Sequence, residues 1–174
     1  HYLAHEGSAG TLRNRLGAGI DLQTLGYGEV VDHHGVRLSL HPAGHVLGSA
    51  QVRLEHGGQV WVASGDYKLQ DDGTCAPFEP VRCDVFITES TFGLPIYRWL
   101  PEQEIFDDIN RWWRKNADEG RASVVFAYAF GKAQRILAEL APRHGLVYRE
   151  LGYGQLHASQ QAFLRAMGQP PAQS

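Results

Sequence analysis

Between residues 36 and 63 the sequence alternates apolar and polar side chains in three runs. They are Val36-Arg37-Leu38-Ser39-Leu40, Ala50-Gln51-Val52-Arg53-Leu54-Glu55 and Gln59-Val60-Trp61-Val62-Ala63. A period of two places every second side chain on the same face, which fits a half-buried strand and not a helix. Pro42-Ala43-Gly44-His45 breaks the first run, and His56-Gly57-Gly58 makes a tight turn between the second and third. Two glycines in a short loop between alternating runs are a hairpin signal. A chain with this centre is committed to a sheet, and its other segments must either extend that sheet or cover it.

Those other segments fall into two groups. Before the sheet, Gly10 to Leu16 reads as a short helix with Thr11 as its N-cap. Leu25 to Val31 has the character of a strand edge, followed by a turn at His33-His34-Gly35. After Ser64-Gly65-Asp66, residues 69 to 79 are polar and turn-rich. Cys83 to Thr88 is a compact apolar run that predicts a buried strand. From Pro101 the character changes. Pro101 to Asn116 reads as a helix, with Pro in its first turn, Glu102 and Glu104 near its start, and Ile105, Ile109, Trp112 and Trp113 at helical spacing. Ala122 to Ala127 predicts a strand, Gly131 to Leu140 a second helix and Ala158 to Met167 a third. Strand-rich and then mixed, the order predicts an α/β chain of stacked layers. Its boundary lies between a first domain at 1–98 and a second region at 99–174.

Composition narrows the function classes. The 174 residues are 43% hydrophobic and 20% charged, with a formal charge of −3. This is an ordinary globular balance, and any basic footprint for a nucleic acid must be local. Cys75 and Cys83 are too few for a disulfide scaffold and form no C-x-x-C pair; they read as small buried or half-buried thiols in a reducing cytoplasm. No apolar run approaches the roughly 20 residues of a membrane span. The chain starts His1-Tyr2-Leu3-Ala4, without an initiator Met, and reads as entered in mid-domain.

The chemistry concentrates at strand ends. His45 sits in a Gly-flanked turn, held by backbone yet exposed, as a metal-ligating imidazole requires. Asp66 and Glu89 each follow a predicted strand. A His and an Asp brought to one sheet edge suit zinc or another borderline divalent ion. Taken singly these residues are weak evidence, because a loop His is usually solvated and a strand-end Asp is usually a turn residue. His33, His34 and His56 lie in apparent turns and read as solvated, and His41 as structural. Arg111-Trp112-Trp113-Arg114-Lys115 interleaves cations with aromatics, a mix that can stack bases, but at helical spacing two Trp read first as core.

Three motifs in order carry a resemblance: Ala43-Gly44-His45-Val46-Leu47-Gly48-Ser49-Ala50, Ser64-Gly65-Asp66-Tyr67 and Thr88-Glu89-Ser90-Thr91-Phe92-Gly93. Together they resemble the metallo-β-lactamase/β-CASP nucleases, a group that includes RNA 3′-end processing endonucleases. Phe126 to Arg135 resembles the strand-then-helix segment of the inserted β-CASP domain. The runs Thr74 to Pro80 and Gly93 to Tyr97 are most similar to bacterial DNA-ligase-associated exonucleases. The resemblance implies a partial αββα sandwich over 1–98 and part of a β-CASP α/β insertion over 99–174. It implies a metal-dependent exonuclease acting on DNA in the cytoplasm, with two divalent metal ions, zinc by preference, and a DNA ligase and a helicase as partners. It assigns His45 to one metal, Asp66 to the bridge between two, and Glu89 to the orientation of a ligating imidazole. Asp66 and Glu89 are thereby the catalytic carboxylates, and two metals would activate a bridging water. His157, before the third predicted helix, could take the place of a further catalytic His. Lys132 and Arg135, one helical turn apart, could face a nucleic-acid backbone.

One departure bears on activity. The group's His-x-His-x-Asp-His run, which supplies most of the ligands upstream of His45, has no counterpart here; His1 and His5 do not match it. Two ligands cannot close a four-coordinate site, so the expectation is that this chain binds metal poorly and is inactive as a fragment. An RNA-processing endonuclease of the same group, and a β-lactamase-like binding domain without catalysis, are the competing readings.

Overall fold

The computed structural model describes residues 1–144. The predicted helix at 158–167 and His157 lie outside the described residues. The chain divides by its contacts into two compact units, one spanning His1–Arg98 and a second beginning at Trp99. Strands and helices occur in both orders, which makes the chain mixed α/β.

The first unit is built on a five-stranded sheet. Its strands are β3 (Val30–His33), β4 (Val36–Pro42), β5 (Ala50–His56), β6 (Gln59–Ala63) and β7 (Val85–Ile87), hydrogen-bonded in that order. The first four are antiparallel neighbours and β7 joins β6 in parallel. The three alternating runs therefore pair as a meander, as their period requires. Register sorts the faces. Ser39, Arg53 and Val62 share one row, and Leu38, Leu54 and Trp61 share another. The first face is unusually polar for a sheet interior, and its charges are paired: Arg37 and Arg53 both reach Glu55. Val62 is fully buried on it.

A second, two-stranded parallel sheet joins β1 (Tyr2–His5) to β2 (Leu22–Leu25), linked through one 3-10 turn at Glu6–Ser8 and the helix α1 (Ala9–Leu16). Neither strand was legible, because four residues with little alternation give no periodic signal. The expected strand from Leu25 to Val31 divides into β2 and β3. Gly28 adopts a positive φ of 76° between them, and its N–H bonds Leu40 O at 2.8 Å. Thr11 is not a cap but lies inside α1, whose N-cap position is Ser8. The Ser8 hydroxyl is committed elsewhere, to the carbonyl of Gly48 at 2.9 Å.

In the second unit, α2 (Glu102–Asp118) and α3 (Lys132–His144) match the expected helices. Pro101 is the N-cap of α2, one position earlier than expected. The buried stripe of α2 is also displaced: Phe106 and Asn110 are buried, whereas Ile105 and Trp112 are exposed. Asn110 is accommodated by donating its side-chain amide to Phe106 O at 2.8 Å, so its polarity did not keep it at the surface. The predicted strand at 122–127 is absent. These residues pair with no neighbouring strand among the described residues, and Phe126 is 91% exposed.

Candidate active site

His45 stands in the connection between β4 and β5. Gly44 and Gly48 reverse the chain on either side of it, at φ of 71° and 74°. Asp66 follows β6 by three residues, after Ser64, which is fully buried, and Gly65 at φ 57°. The structure brings these two side chains together, with His45 Nε2 4.0 Å from Asp66 Oδ2. Both are open to solvent, at 45% and 76% of their side-chain surface.

Glu89 follows β7. Its carboxylate accepts the backbone N–H of Thr91 at 2.6 Å. The amide and hydroxyl of Thr91 hold the Glu89 carboxyl below its usual range, and the His45 imidazole adds to that effect. Glu89 thus lies within electrostatic reach of His45. Tyr67 follows Asp66 in the chain. Its ring packs on Phe78 and Phe86, and its hydroxyl receives that of Thr88 at 3.4 Å.

Beneath the turn lies a polar support that sequence reasoning underestimated. Gln51 is fully buried, and its amide nitrogen spans Pro42 O at 2.9 Å and Glu79 O at 2.7 Å. Its side-chain oxygen has no partner among the described residues. His41 lies between the Ser39 hydroxyl and the Glu79 carboxylate, at 3.1 Å from each. Glu79 N–H returns to Pro42 O at 3.2 Å. The 77–79 segment is thus tied to the end of β4 next to the His45 turn. In the sequence Ser39 and Gln51 are ordinary polar positions of the alternating runs, so nothing marked this support.

A second tie runs through Lys68, whose N–H bonds Ala43 O at 3.0 Å while its ammonium pairs with Asp72. Burial pushes the Asp72 carboxyl up, but the Lys68 ammonium and the Thr74 hydroxyl and amide outweigh it and hold the group below the ordinary aspartate range. A carboxyl depressed in the folded state stabilises the fold above its unfolded value. That contribution is lost as pH falls through the folded value. Urea unfolding from pH 7 to pH 3 should show this acid loss in the wild-type chain and a smaller one in Asp72→Asn. Identical acid limbs would refute the assignment.

The donor kinds at His45 and Asp66 fit a borderline divalent ion. Zinc sits about 2.0–2.1 Å from an imidazole nitrogen and about 2.0–2.2 Å from a carboxylate oxygen. Two atoms 4.0 Å apart are within one ion's span, nearly in line, and a small side-chain rotation would close the angle. The donor number does not complete the coordination. Among the described residues no group of three or more His, Cys, Asp or Glu side chains could hold a metal ion.

Arg135 is bound to Glu102 at 2.6 Å and lies over the Phe106 ring, which turns its guanidinium away from the role of a free phosphate contact. Lys132 is exposed, with its ammonium over the Tyr128 ring at 5.3 Å. Trp113 is half-buried and Trp112 is 43% exposed, so the pair is only partly core. His33, His34 and His56 are exposed, and His56 bonds Gly35 O at 3.0 Å. Cys75 and Cys83 are half-buried free thiols. No helix among the described residues is long and apolar enough to cross a membrane.

No family model matches the chain. It is similar to a probable DNA ligase of Opitutus terrae, with 33% identity over 141 residues, 79% of this chain and 14% of the relative. The endoribonuclease YSH1 of Yarrowia lipolytica is 31% identical over 118 residues, 67% of this chain and 14% of the relative. Cleavage and polyadenylation specificity factor 73 of Drosophila melanogaster is 33% identical over the same length, covering 17% of that protein. The chain thus spans about a seventh of the length of these relatives. Among solved structures, a protein from Enterococcus faecalis V583 aligns at a TM-score of 0.38 and 12% identity, over 76% of this chain and 39% of that one, a likeness too slight to bear on the fold.

Proposed function

Since the chain belongs with the homologues of endoribonuclease YSH1 and cleavage and polyadenylation specificity factor 73, in the metallo-β-lactamase/β-CASP group, we propose that it is part of a metal-dependent phosphodiesterase that hydrolyses nucleic acid. The observation that carries the reading is the approach of His45 and Asp66 to 4.0 Å from separate strand ends. In this reading the five-stranded sheet is one layer of an αββα sandwich, and the residues after 98 open the inserted domain.

His45 and Asp66 would hold a divalent ion, zinc by preference, and two side chains leave its coordination open. The ion, when bound, supplies Lewis acidity and a water of lowered pKa. What the chain itself contributes is placement. The His45 turn presents an imidazole from rigid backbone, and Asp66 offers an exposed carboxylate beside it. Glu89, kept ionised by Thr91, is the acceptor that a ligating imidazole would need for its other N–H.

DNA is the preferred substrate, on the strength of the Opitutus relative, which matches the largest share of the chain among the three; an exonuclease mode and a DNA ligase partner belong to the same reading. RNA is supported equally well by the relatives named as endoribonuclease and cleavage factor. The test is degradation of end-labelled and internally labelled DNA and RNA of one sequence by the full-length gene product, with zinc and with a chelator. Chelator-sensitive shortening of DNA from an end supports the preferred reading. Internal cuts in RNA alone move the assignment to RNA processing. Binding without cleavage of either polymer defeats the enzyme reading.

A further inference from the structure

Among the described residues no hydrogen bond of the His45 imidazole fixes its direction; its Nε2 stands 4.0 Å from Asp66 Oδ2. Its aim is therefore set by the backbone that carries it. One hydroxyl governs that backbone. The Ser49 side-chain oxygen accepts the N–H of His45 and the N–H of Val46, both at 3.1 Å. The main chain of Ser49 closes the same loop from the other side. Its N–H bonds Val46 O at 2.9 Å, and its carbonyl receives Ala43 N–H at 3.2 Å and the Tyr27 hydroxyl at 2.9 Å. The Tyr27 ring is itself fixed by stacking on His5, with ring centroids 3.6 Å apart.

We propose that Ser49 is the positioning residue of His45, holding the 45–46 backbone so that the imidazole projects toward Asp66. Its importance for catalysis rests on the metal-dependent reading above; its structural effect does not. The argument is one of satisfaction. The two amide hydrogens have one shared acceptor, and an alanine at 49 removes it while leaving the loop's length and glycines unchanged. The His45 amide is exposed and would hydrate, whereas the half-buried Val46 amide costs free energy while unpaired and must reorganise to find an acceptor. In a loop this short, either response rotates the His45 peptide. Displacements of about 1 Å at a site are enough to impair chemistry strongly.

The test is made on the isotopically labelled 174-residue chain with Ser49→Ala, Ser49→Thr and Ser49→Cys. Two quantities are read by NMR: amide hydrogen exchange at His45 and Val46, and the three-bond couplings that report the His45 χ1 rotamer. In Ser49→Ala, exchange at both amides should rise about tenfold or more, as loss of one good acceptor implies. The His45 couplings should move toward rotamer averaging. Threonine keeps the oxygen and should retain wild-type values. Cysteine keeps the size but offers a weak acceptor and should follow alanine, which maintains the test if the alanine variant fails to fold. His56 serves as a distant reference. Unchanged exchange and couplings in the alanine and cysteine variants overturn the proposal, as does a threonine variant that behaves like alanine. A zinc titration followed at the His45 resonances, with His45→Ala as control, separates the two ideas. A zinc response at those resonances supports the metal reading, its absence matches the weak binding expected of two ligands, and in both cases the couplings decide the role of Ser49.

Discussion

Asp66→Ala in the full-length protein should lower nucleic-acid hydrolysis by about a thousandfold while leaving the fold in place. The two halves of that expectation come from different observations. The side chain of Asp66 is 76% exposed, and its contact with His45 is loose. Exposed substitutions without a cap, core or network role usually change stability by no more than about 0.5 kcal/mol. Urea unfolding should therefore be close to wild type. Activity is another matter. A ligated ion stabilises developing charge by several kcal/mol, and about 4 kcal/mol of lost transition-state stabilisation is about three orders of magnitude in rate. His45→Ala should fall by a similar factor, and the double variant should be no worse than either single one, because residues serving one centre are not additive. Glu89→Gln should be milder, about 10- to 100-fold, since in this reading it acts through an imidazole. Glu104, an exposed acid in the first turn of α2, supplies the control, and Glu104→Gln should be indistinguishable from wild type. Initial rates on the preferred polymer at saturating metal are the measurement. An Asp66→Ala enzyme within tenfold of wild type would mean that this carboxylate holds no ion that matters.

The contrast between strands that were legible in the sequence and strands that were not has a physical cause. β4, β5 and β6 were visible because each is five residues or longer and has one face against the core, so burial imposed alternation. β1 and β2 are four residues each, with patterns set by a single parallel partner that no local signal reveals. The run at 122–127 failed for the opposite reason. Its residues carry strong strand propensity, yet a strand exists only when a neighbour pairs with it, and none does among the described residues. The α2 stripe was misplaced because it followed the apolar residues Ile105, Ile109, Trp112 and Trp113, whereas the buried row includes Asn110, whose bond to Phe106 O allows burial. At the candidate site, the order of the motifs marked His45, Asp66 and Glu89, and the fold brings the first two into contact distance. Their supports were not legible. Ser49, Gln51 and Glu79 are ordinary polar residues until the chain is folded. Only the closing of the β4–β5 connection turns a serine into a shared acceptor and a glutamine into a buried clamp.

Gly44→Ala should destabilise the protein by about 3–5 kcal/mol, although it adds a single methyl group. Two penalties coincide at this position. The residue sits at φ 71°, where a side chain costs about 1–3 kcal/mol. A Cβ there would also stand 2.3 Å from the carbonyl oxygen of Lys68 and 2.8 Å from the backbone nitrogen of Phe78. Those atoms are main chain, in segments tied down by Lys68 N–H to Ala43 O and Glu79 N–H to Pro42 O, so they cannot swing aside as a side-chain tip would. Forced overpacking of this kind adds about 1–3 kcal/mol. Gly57 provides the comparison. It has a similar φ of 57° but open space where its Cβ would be, so Gly57→Ala should show the conformational cost alone, about 1–2 kcal/mol. The difference between the two variants in urea midpoint isolates the close approach of the three segments. That approach also has a functional meaning. Lys68 is two residues beyond Asp66 and Gly44 is one before His45, so the distance between imidazole and carboxylate is fixed by how tightly these backbones meet. Any residue larger than glycine at 44 must push the 68 segment away and carry Asp66 with it. If Gly44→Ala proves no more destabilising than Gly57→Ala, the segments are not packed that closely, and the geometry that brings His45 to Asp66 loses its support.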